Sequence, residues 1–253
     1  MKKILLSLLY GLRNFVDIFL NFNEVTVLCY HSISQNNKDT TIPPELFETH
    51  LTALKEAGFS LISLDDVVLG HTGKKLIPRK AVALTFDDGY RDFETDALPI
   101  LEKYEAPATV FVVGDEGASR GALENTIPLL APDAIKRLKV HPLVTIGYHS
   151  KTHVNLRECS GEVLQSEVAP LFSAEFFAYP GGNYSSEAVR AVREAGYRAA
   201  FSIKRDMVGT WSDTFLLPRI VIERKDTPQQ VVRSVTVAQH WYAFLRKMTK
   251  KYG

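Results

Sequence analysis

Short apolar runs alternate with longer amphipathic segments along most of the chain. The short runs are rich in Val, Ile, Phe and Tyr and predict strands, at 25–30, 81–86, 108–113, 143–148, 174–179, 197–203 and 218–222. The longer segments carry apolar residues three and four positions apart and predict helices, at 44–59, 92–105, 132–138, 161–172, 185–196 and 227–237. This alternation indicates an α/β fold with a parallel sheet, either closed as a barrel or open with helices on both faces.

Polar residues at the ends of the predicted strands favour the barrel. They are His31, the pair Asp87 and Asp88, and His149, and Pro180 with two glycines follows another strand end. Parallel barrels build their sites at the carboxyl-terminal edge of the strands. A dinucleotide-binding sheet would instead carry a glycine-rich fingerprint after its first strand, and none follows 25–30.

The N-terminal segment has a different pattern. Polar residues recur at spacings of three and four and leave the opposite side apolar, which predicts an amphipathic helix over 1–22. Arg13, Asn14 and Asp17 interrupt the apolar run, so it does not resemble a transmembrane helix, and no cleavage pattern of a signal peptide follows. The helix either packs on its own domain or lies in a membrane interface. We expect a membrane-associated or cell-envelope location, with the cytoplasm as the alternative.

Composition and charge limit the domain count and the partners. The chain has 253 residues, 45% of them hydrophobic, and we expect one main domain at 23–240 and a basic tail at 241–253. Thirty basic residues nearly balance 29 acidic ones, so the charge does not indicate a nucleic-acid partner, and we expect a monomer. Cys29 and Cys159 lack metal-site spacing, and Cys29 is predicted to be a buried free thiol.

Two short motifs carry the candidate chemistry: Asp87-Asp88-Gly89, and HSKTH at 149–153. Alone, the first is equally compatible with a tight turn, and two histidines four residues apart are more often incidental than ligands. Together they are more specific, because two imidazoles and a carboxylate form a ligand set for zinc or a similar ion. A helical turn capped by Ser150 would bring the two histidines together. One aspartate would bind the ion and the other would take a proton from water.

With these motifs the sequence resembles the polysaccharide deacetylase family, carbohydrate esterase family 4, also called the NodB-homology domain. LTFDDGY and HSKTH carry the resemblance, and LCYHSI and FFAYPGG extend it over roughly residues 25–224. The resemblance implies a distorted (β/α)7 barrel. It also implies removal of N-acetyl groups from N-acetylglucosamine polymers or peptidoglycan, or of O-acetyl groups from xylan.

The resemblance also implies roles for the motif residues. Asp87 matches the catalytic base, and Asp88, His149 and His153 match the ligands of a divalent ion, Zn²⁺ first, with Co²⁺, Ni²⁺ or Mn²⁺ as alternatives. Water bound to that ion would attack the acetyl carbonyl, which the ion polarises.

The segment FAYPGG is expected to form the oxyanion site. After Tyr179 and Pro180, the backbone N–H of Gly181 or Gly182 would donate to the oxyanion. The two glycines stand where the family commonly has an aromatic residue and then glycine, and they are expected to widen the substrate cleft.

At two positions this sequence departs from the pattern common in the family. Ala178 stands where the family often has an arginine that orients the base, and Arg219 in LLPRIVI is the candidate substitute. No C-terminal Leu-x-Leu-x-His motif supplies the usual catalytic acid. His31 is the best candidate for that role, although a histidine at the rim without a catalytic role fits equally well. His240 is a poorer candidate.

The remaining histidines, His50, His71 and His141, are predicted to lie at the surface. The leading function is a metal-dependent carbohydrate N-deacetylase acting on a polysaccharide or glycan. Two alternatives stay open: an O-acetyl esterase, and a catalytically impaired saccharide-binding homologue.

Overall fold

A computed structural model describes residues 24–114 and 127–236 of the chain. The predicted N-terminal helix, the basic tail and His240 lie outside these ranges. Within them, every helix is too short or too polar to cross a bilayer.

A curved sheet of eight parallel strands forms the centre of the described fold. The strands are β1 Thr26–Tyr30, β4 Ser60–Ile62, β5 Ala81–Phe86, β6 Ala108–Val112, β7 Val144–Tyr148, β8 Phe176–Ala178, β9 Ala199–Phe201 and β10 Ile220–Val221. Hydrogen-bonded neighbours follow the order β10-β1-β5-β6-β7-β8-β9, and β4 pairs with the first half of β5. A small parallel pair, β2 Ser32–Ile33 and β3 Thr41–Ile42, follows β1. The predicted parallel barrel is therefore confirmed.

One segment nearly closes the barrel. Leu217 exchanges hydrogen bonds with β9, donating to Ala200 and accepting from Ser202, both at 2.9 Å. A few residues later, Ile220 pairs with Leu28 of β1. The chain before β10 thus passes from one edge of the sheet to the other and places Arg219 between them.

Helices cover the outside of the sheet. Their bounds are Pro44–Glu56, Leu64–His71, Leu98–Lys103, Pro132–Lys139, Gly161–Val168, Ser186–Glu194 and Pro228–Ser234. Side-chain caps begin several of them: Ser63, Ser185 and Thr227 each accept a backbone N–H from the first turn. The helix predicted over 92–105 is divided, with a π-helical turn at Phe93–Ala97. Pro99 explains the division, because it cannot donate a hydrogen bond to the preceding turn.

Alternation along the strands separates two packed layers. Val27, Ala83, Phe111 and Phe201 belong to the cluster inside the barrel, whereas their strand neighbours pack outward against the helices. The same alternation directs the next inward positions, at the carboxyl edge of the sheet, toward a common point.

The surface prediction for two histidines is wrong. His50 is fully buried, and its Nε2 contacts the Asp226 carbonyl oxygen at 2.9 Å. His71 is also buried, between the Gly209 carbonyl and the Thr214 hydroxyl, each at 2.9 Å. Both lie on the buried stripe of their helix, where the imidazole links the helix to a later segment. His141 is partly exposed and contacts Glu102.

Candidate active site

Asp87 and Arg219 form a buried ion pair at the end of β5. Arg219 Nη1 and Nη2 donate to the two carboxylate oxygens of Asp87 at 2.6 and 2.7 Å. The guanidinium also donates to the Ser202 carbonyl and the Thr85 hydroxyl, both at 3.2 Å, and lies over the Phe111 ring. Ala178 has no guanidinium with which to bind Asp87. Arg219, in the segment before β10, makes this contact instead.

The electrostatics of this pair favour an ionised carboxylate. Burial opposes ionisation of Asp87, but Arg219 and His149 lower the pKa of its carboxyl group to about 2. Burial likewise opposes the charge on Arg219, whereas Asp87 raises its pKa above the ordinary value. Asp87 is therefore a carboxylate over the whole physiological pH range.

Asp88, His149 and His153 meet beside this pair. The Nε2 atoms of His149 and His153 lie 3.5 and 3.2 Å from Asp88 Oδ1. One ligand atom from each residue lies within 4.8 Å of the other two. The adjacent aspartates can share one site because Asp88 adopts a left-handed conformation with φ of 73°, which turns the chain out of the strand.

The two histidines are carried by a loop, so the predicted helical turn is wrong. Ser150 and His153 have φ of 59° and 58°, which a right-handed helix does not accommodate. The Ser150 hydroxyl still accepts the His153 N–H at 2.9 Å and closes the loop. His149 Nδ1 lies 2.8 Å from the Ala178 carbonyl and donates to it, which leaves Nε2 facing Asp88.

This donor set fits a divalent ion. Asp88 Oδ1 is buried, and no hydrogen-bond donor reaches it from the described residues, although two imidazole nitrogens face it. Burial opposes a charge on His149, yet Asp87 and Asp88 raise its pKa above the ordinary value, so the surroundings favour positive charge at this point. Two imidazole nitrogens and one carboxylate oxygen are ligands of catalytic zinc sites and leave a coordination position open.

His31 and Cys29 adjoin Asp87 from β1. A His31 ring nitrogen, Cys29 Sγ and an Asp87 oxygen lie within 4.8 Å of one another. Burial raises the pKa of the Cys29 thiol well above its ordinary value, and the thiol donates to Asp87 Oδ2 at 3.3 Å. The sequence predicted a buried free thiol, but only the register of β1 against β5 revealed this contact.

The residues expected at the oxyanion site differ in burial and in whether their N–H groups are already hydrogen-bonded. Tyr179 is fully buried, and its hydroxyl donates to the Phe215 carbonyl, so its side chain supports the turn from the core. Pro180 begins a single 3-10 turn, in which the Gly182 N–H donates to the Tyr179 carbonyl at 2.8 Å. The Gly181 N–H has no acceptor within the described part of the chain.

Sequence comparisons identify the family. The polysaccharide deacetylase family model matches residues 74–200. The Bacillus subtilis (strain 168) protein YxkH, which carries a polysaccharide deacetylase name, is 31% identical over 184 residues, 69% of this chain and 63% of its own length. The poly-β-1,6-N-acetyl-D-glucosamine N-deacetylase of Staphylococcus aureus (strain MRSA252) is 23% identical over 230 residues, 83% of this chain and 74% of its own.

A solved structure shows the same fold. The Streptococcus pyogenes deacetylase PplD, in complex with acetate, superposes with a TM-score of 0.72 at 23% identity, over 84% of this chain and 98% of that one. This agrees with the distorted (β/α)7 barrel expected from the sequence. By its match to the family model over half of its length, the chain belongs to the polysaccharide deacetylase family.

Proposed function

We propose that the protein is a metal-dependent deacetylase that removes N-acetyl groups from N-acetylglucosamine units of a polysaccharide. The observation that carries the proposal is the pairing of a buried, Arg-bound carboxylate, Asp87, with a separate carboxylate–imidazole set at the same edge of the barrel. A saccharide-binding protein would have no need for both groups.

Asp88, His149 and His153 would hold the ion, Zn²⁺ first among the candidates, with Co²⁺, Ni²⁺ and Mn²⁺ as alternatives. When bound, a divalent ion supplies Lewis acidity that makes water more acidic and polarises a carbonyl. The hydrogen bond between His149 and the Ala178 carbonyl orients that imidazole, as partners of metal-binding histidines commonly do.

Asp87 would act as the general base. Its carboxylate stays ionised and is held by two short bonds from Arg219, so it can accept a proton from the attacking water without changing orientation. Arg219 is then a positioning residue, which supplies from the segment before β10 what the family often supplies from the position of Ala178.

His31 would return the proton to the leaving nitrogen. It follows β1, and one of its ring nitrogens lies within 4.8 Å of the Asp87 carboxylate. Its Nδ1 is buried, and no described residue bonds to it. The Gly181 N–H would donate to the oxyanion that forms from the acetyl carbonyl, because the Gly182 N–H is already bonded within the turn.

The relatives support an N-acetylglucosamine substrate. The Staphylococcus aureus relative is named for poly-β-1,6-N-acetyl-D-glucosamine, and its match extends over 83% of this chain. The proposal extends to the linkage between the sugar units and to the type of acetyl bond, amide or ester.

Acetate release tests the proposal and separates these alternatives. The metal-free chain, reloaded with Zn²⁺ or Co²⁺, is assayed on β-1,6- and β-1,4-linked N-acetylglucosamine oligomers and on acetylxylan. We expect release from an N-acetylglucosamine oligomer that depends on the ion and stops with a chelator. Release from acetylxylan alone would make the protein an esterase, and saccharide binding without release with any of the ions would contradict an enzyme.

A further inference from the structure

Glu167 is a buried carboxylate outside the site described above. It lies in the helix Gly161–Val168, is 7% exposed, and is flanked by the core residues Leu164 and Val168. Carboxylates are seldom buried without a partner, yet no lysine or arginine of the described ranges forms an ion pair with Glu167. Its partners belong to the loop that carries the two histidines.

Three hydrogen bonds connect that loop to Glu167. The Thr152 N–H donates to Oε2 at 2.9 Å, and the Thr152 hydroxyl donates to Oε1 at 2.6 Å. The Lys151 N–H donates to the Glu167 backbone carbonyl at 2.9 Å. Both carboxylate oxygens are therefore bound to Thr152, which directly precedes His153.

The loop needs such support because its backbone is strained at two positions. Ser150 and His153 both adopt left-handed conformations, which side-chain-bearing residues keep only when their surroundings enforce them. Ser150 is held by the Gly114 N–H on its carbonyl and by the His153 N–H on its hydroxyl. Between Ser150 and His153, the bonds to Glu167 fix the remaining two residues.

We propose that Glu167 is a positioning residue for the metal site: it clamps Thr152 and so holds His153 and His149 in the conformation that binds the ion. The inference rests on the proposed function, since it takes Asp88, His149 and His153 as the ligands. Without the clamp, the loop relaxes to less strained conformations, and ordering it again opposes ion binding. Partners beyond the direct ligands typically change metal affinity by about 10- to 100-fold.

The test measures ion affinity, not turnover. Purified metal-free chains are titrated with Zn²⁺ in competition with a chromophoric chelator, and Glu167→Ala should bind about 10- to 100-fold more weakly than the unchanged chain. Glu162→Ala is the matched control, because Glu162 is an exposed carboxylate in the first turn of the same helix. Its affinity should stay within about threefold.

Glu167→Gln distinguishes the clamp from a charge effect. A glutamine amide can accept the Thr152 N–H and donate to the Thr152 hydroxyl, so both bonds can persist without the negative charge. Glu167→Gln should therefore bind Zn²⁺ within about threefold of the unchanged chain. Weakening equal to that of Glu167→Ala would overturn the clamp in favour of charge alone.

Thr152→Val tests the same contact from the loop. It keeps the backbone bond and removes the hydroxyl bond, and should weaken Zn²⁺ binding less than Glu167→Ala does. If thermal unfolding shows that Glu167→Ala does not fold, Thr152→Val replaces it as the test variant. Unchanged affinity in both Glu167→Ala and Thr152→Val would overturn the inference. If the unchanged chain binds no ion, or binds it equally after Asp88→Asn, the proposed function itself fails.

Discussion

Asp87 and Arg219 are both removed from water, and this has a substantial cost. Each buried ion loses several kcal/mol of hydration, which the pair recovers only through good geometry and further hydrogen bonds. Arg219 has both, since two of its other N–H donors reach Ser202 and Thr85. A well-packed apolar pair would often be equally stable. The pair is therefore better explained by a need for an oriented, ionised carboxylate than by stability.

Arg219→Lys tests the orientation of this carboxylate. Lysine keeps the charge but replaces a two-pronged contact with a single point, so at least one charge-assisted bond to Asp87 is lost. Such a bond is worth about 1.5–3 kcal/mol, and kcat for acetate release should fall roughly 10- to 150-fold. KM and metal content should change little.

Arg198→Lys is the control for Arg219→Lys. Its side chain is partly exposed and pairs with Asp65 and Glu175 at the surface. Its kcat should match that of the unchanged chain. A kcat for Arg219→Lys equal to that of the control would exclude the positioning role of Arg219.

Among the strands, helices and loops, sequence patterns predicted the features that depend on a single segment. They failed where the conformation depends on contacts between distant segments. The strand at 81–86 agrees with the structure at both ends because both of its faces are buried. The helical turn predicted at 149–153 was wrong, because contacts from outside the loop hold its backbone: the Gly114 N–H binds the Ser150 carbonyl, and Glu167 binds Thr152. Periodicity identifies the buried stripe of Phe47, Leu51 and Leu54, but not that His50 joins it. His50 is buried because its ring contacts the Tyr30 hydroxyl and the Asp226 carbonyl, which lie in other segments.

The turn after β8 has no room for a side chain at its second glycine. Gly182 has φ of 66°, and a Cβ there would lie 2.2 Å from Ile203. Gly161 has φ of 54° but open space around a Cβ. Gly161→Ala should therefore cost only the conformational strain, about 1–2 kcal/mol of unfolding free energy, whereas Gly182→Ala should cost about 1–3 kcal/mol more from overpacking.

Denaturant unfolding measures both glycine variants. The double variant Gly182→Ala/Ile203→Ala should recover part of the additional loss, because it removes the overlapping side chain. Equal losses for the two single glycine variants would show that the overlap with Ile203 does not limit this turn.

At the scale of the whole molecule, the parallel barrel assembles the site from segments far apart in the chain. Asp87 and Arg219 are 132 residues apart, and the histidine loop follows β7 on the opposite side of β6 from β5. The carboxyl edge of a curved, in-register parallel sheet brings these groups together. An ion bound by Asp88 of one segment and His149 and His153 of another would therefore stabilise the folded barrel against the unfolded chain.

Metal binding should accordingly raise the unfolding temperature. At an ion concentration about 100-fold above Kd, the gain is about 2.7 kcal/mol, which corresponds to roughly 5–11 °C for a domain of this size. A thermal scan of the metal-free chain with and without Zn²⁺ measures it. A chelator should reverse the shift, and Asp88→Asn should abolish it. The same shift in Asp88→Asn would place the ion elsewhere.

The proposed function gives the two adjacent aspartates separate roles, and Asp87→Asn distinguishes them. Asparagine keeps the size of the side chain but is a far weaker proton acceptor, while Asp88, His149 and His153 remain intact. On folded protein, zinc content and acetate release from an N-acetylglucosamine oligomer are measured together. We predict full zinc content with release reduced by about 10²- to 10⁴-fold. Full zinc content with undiminished release would show that Asp87 is not the general base.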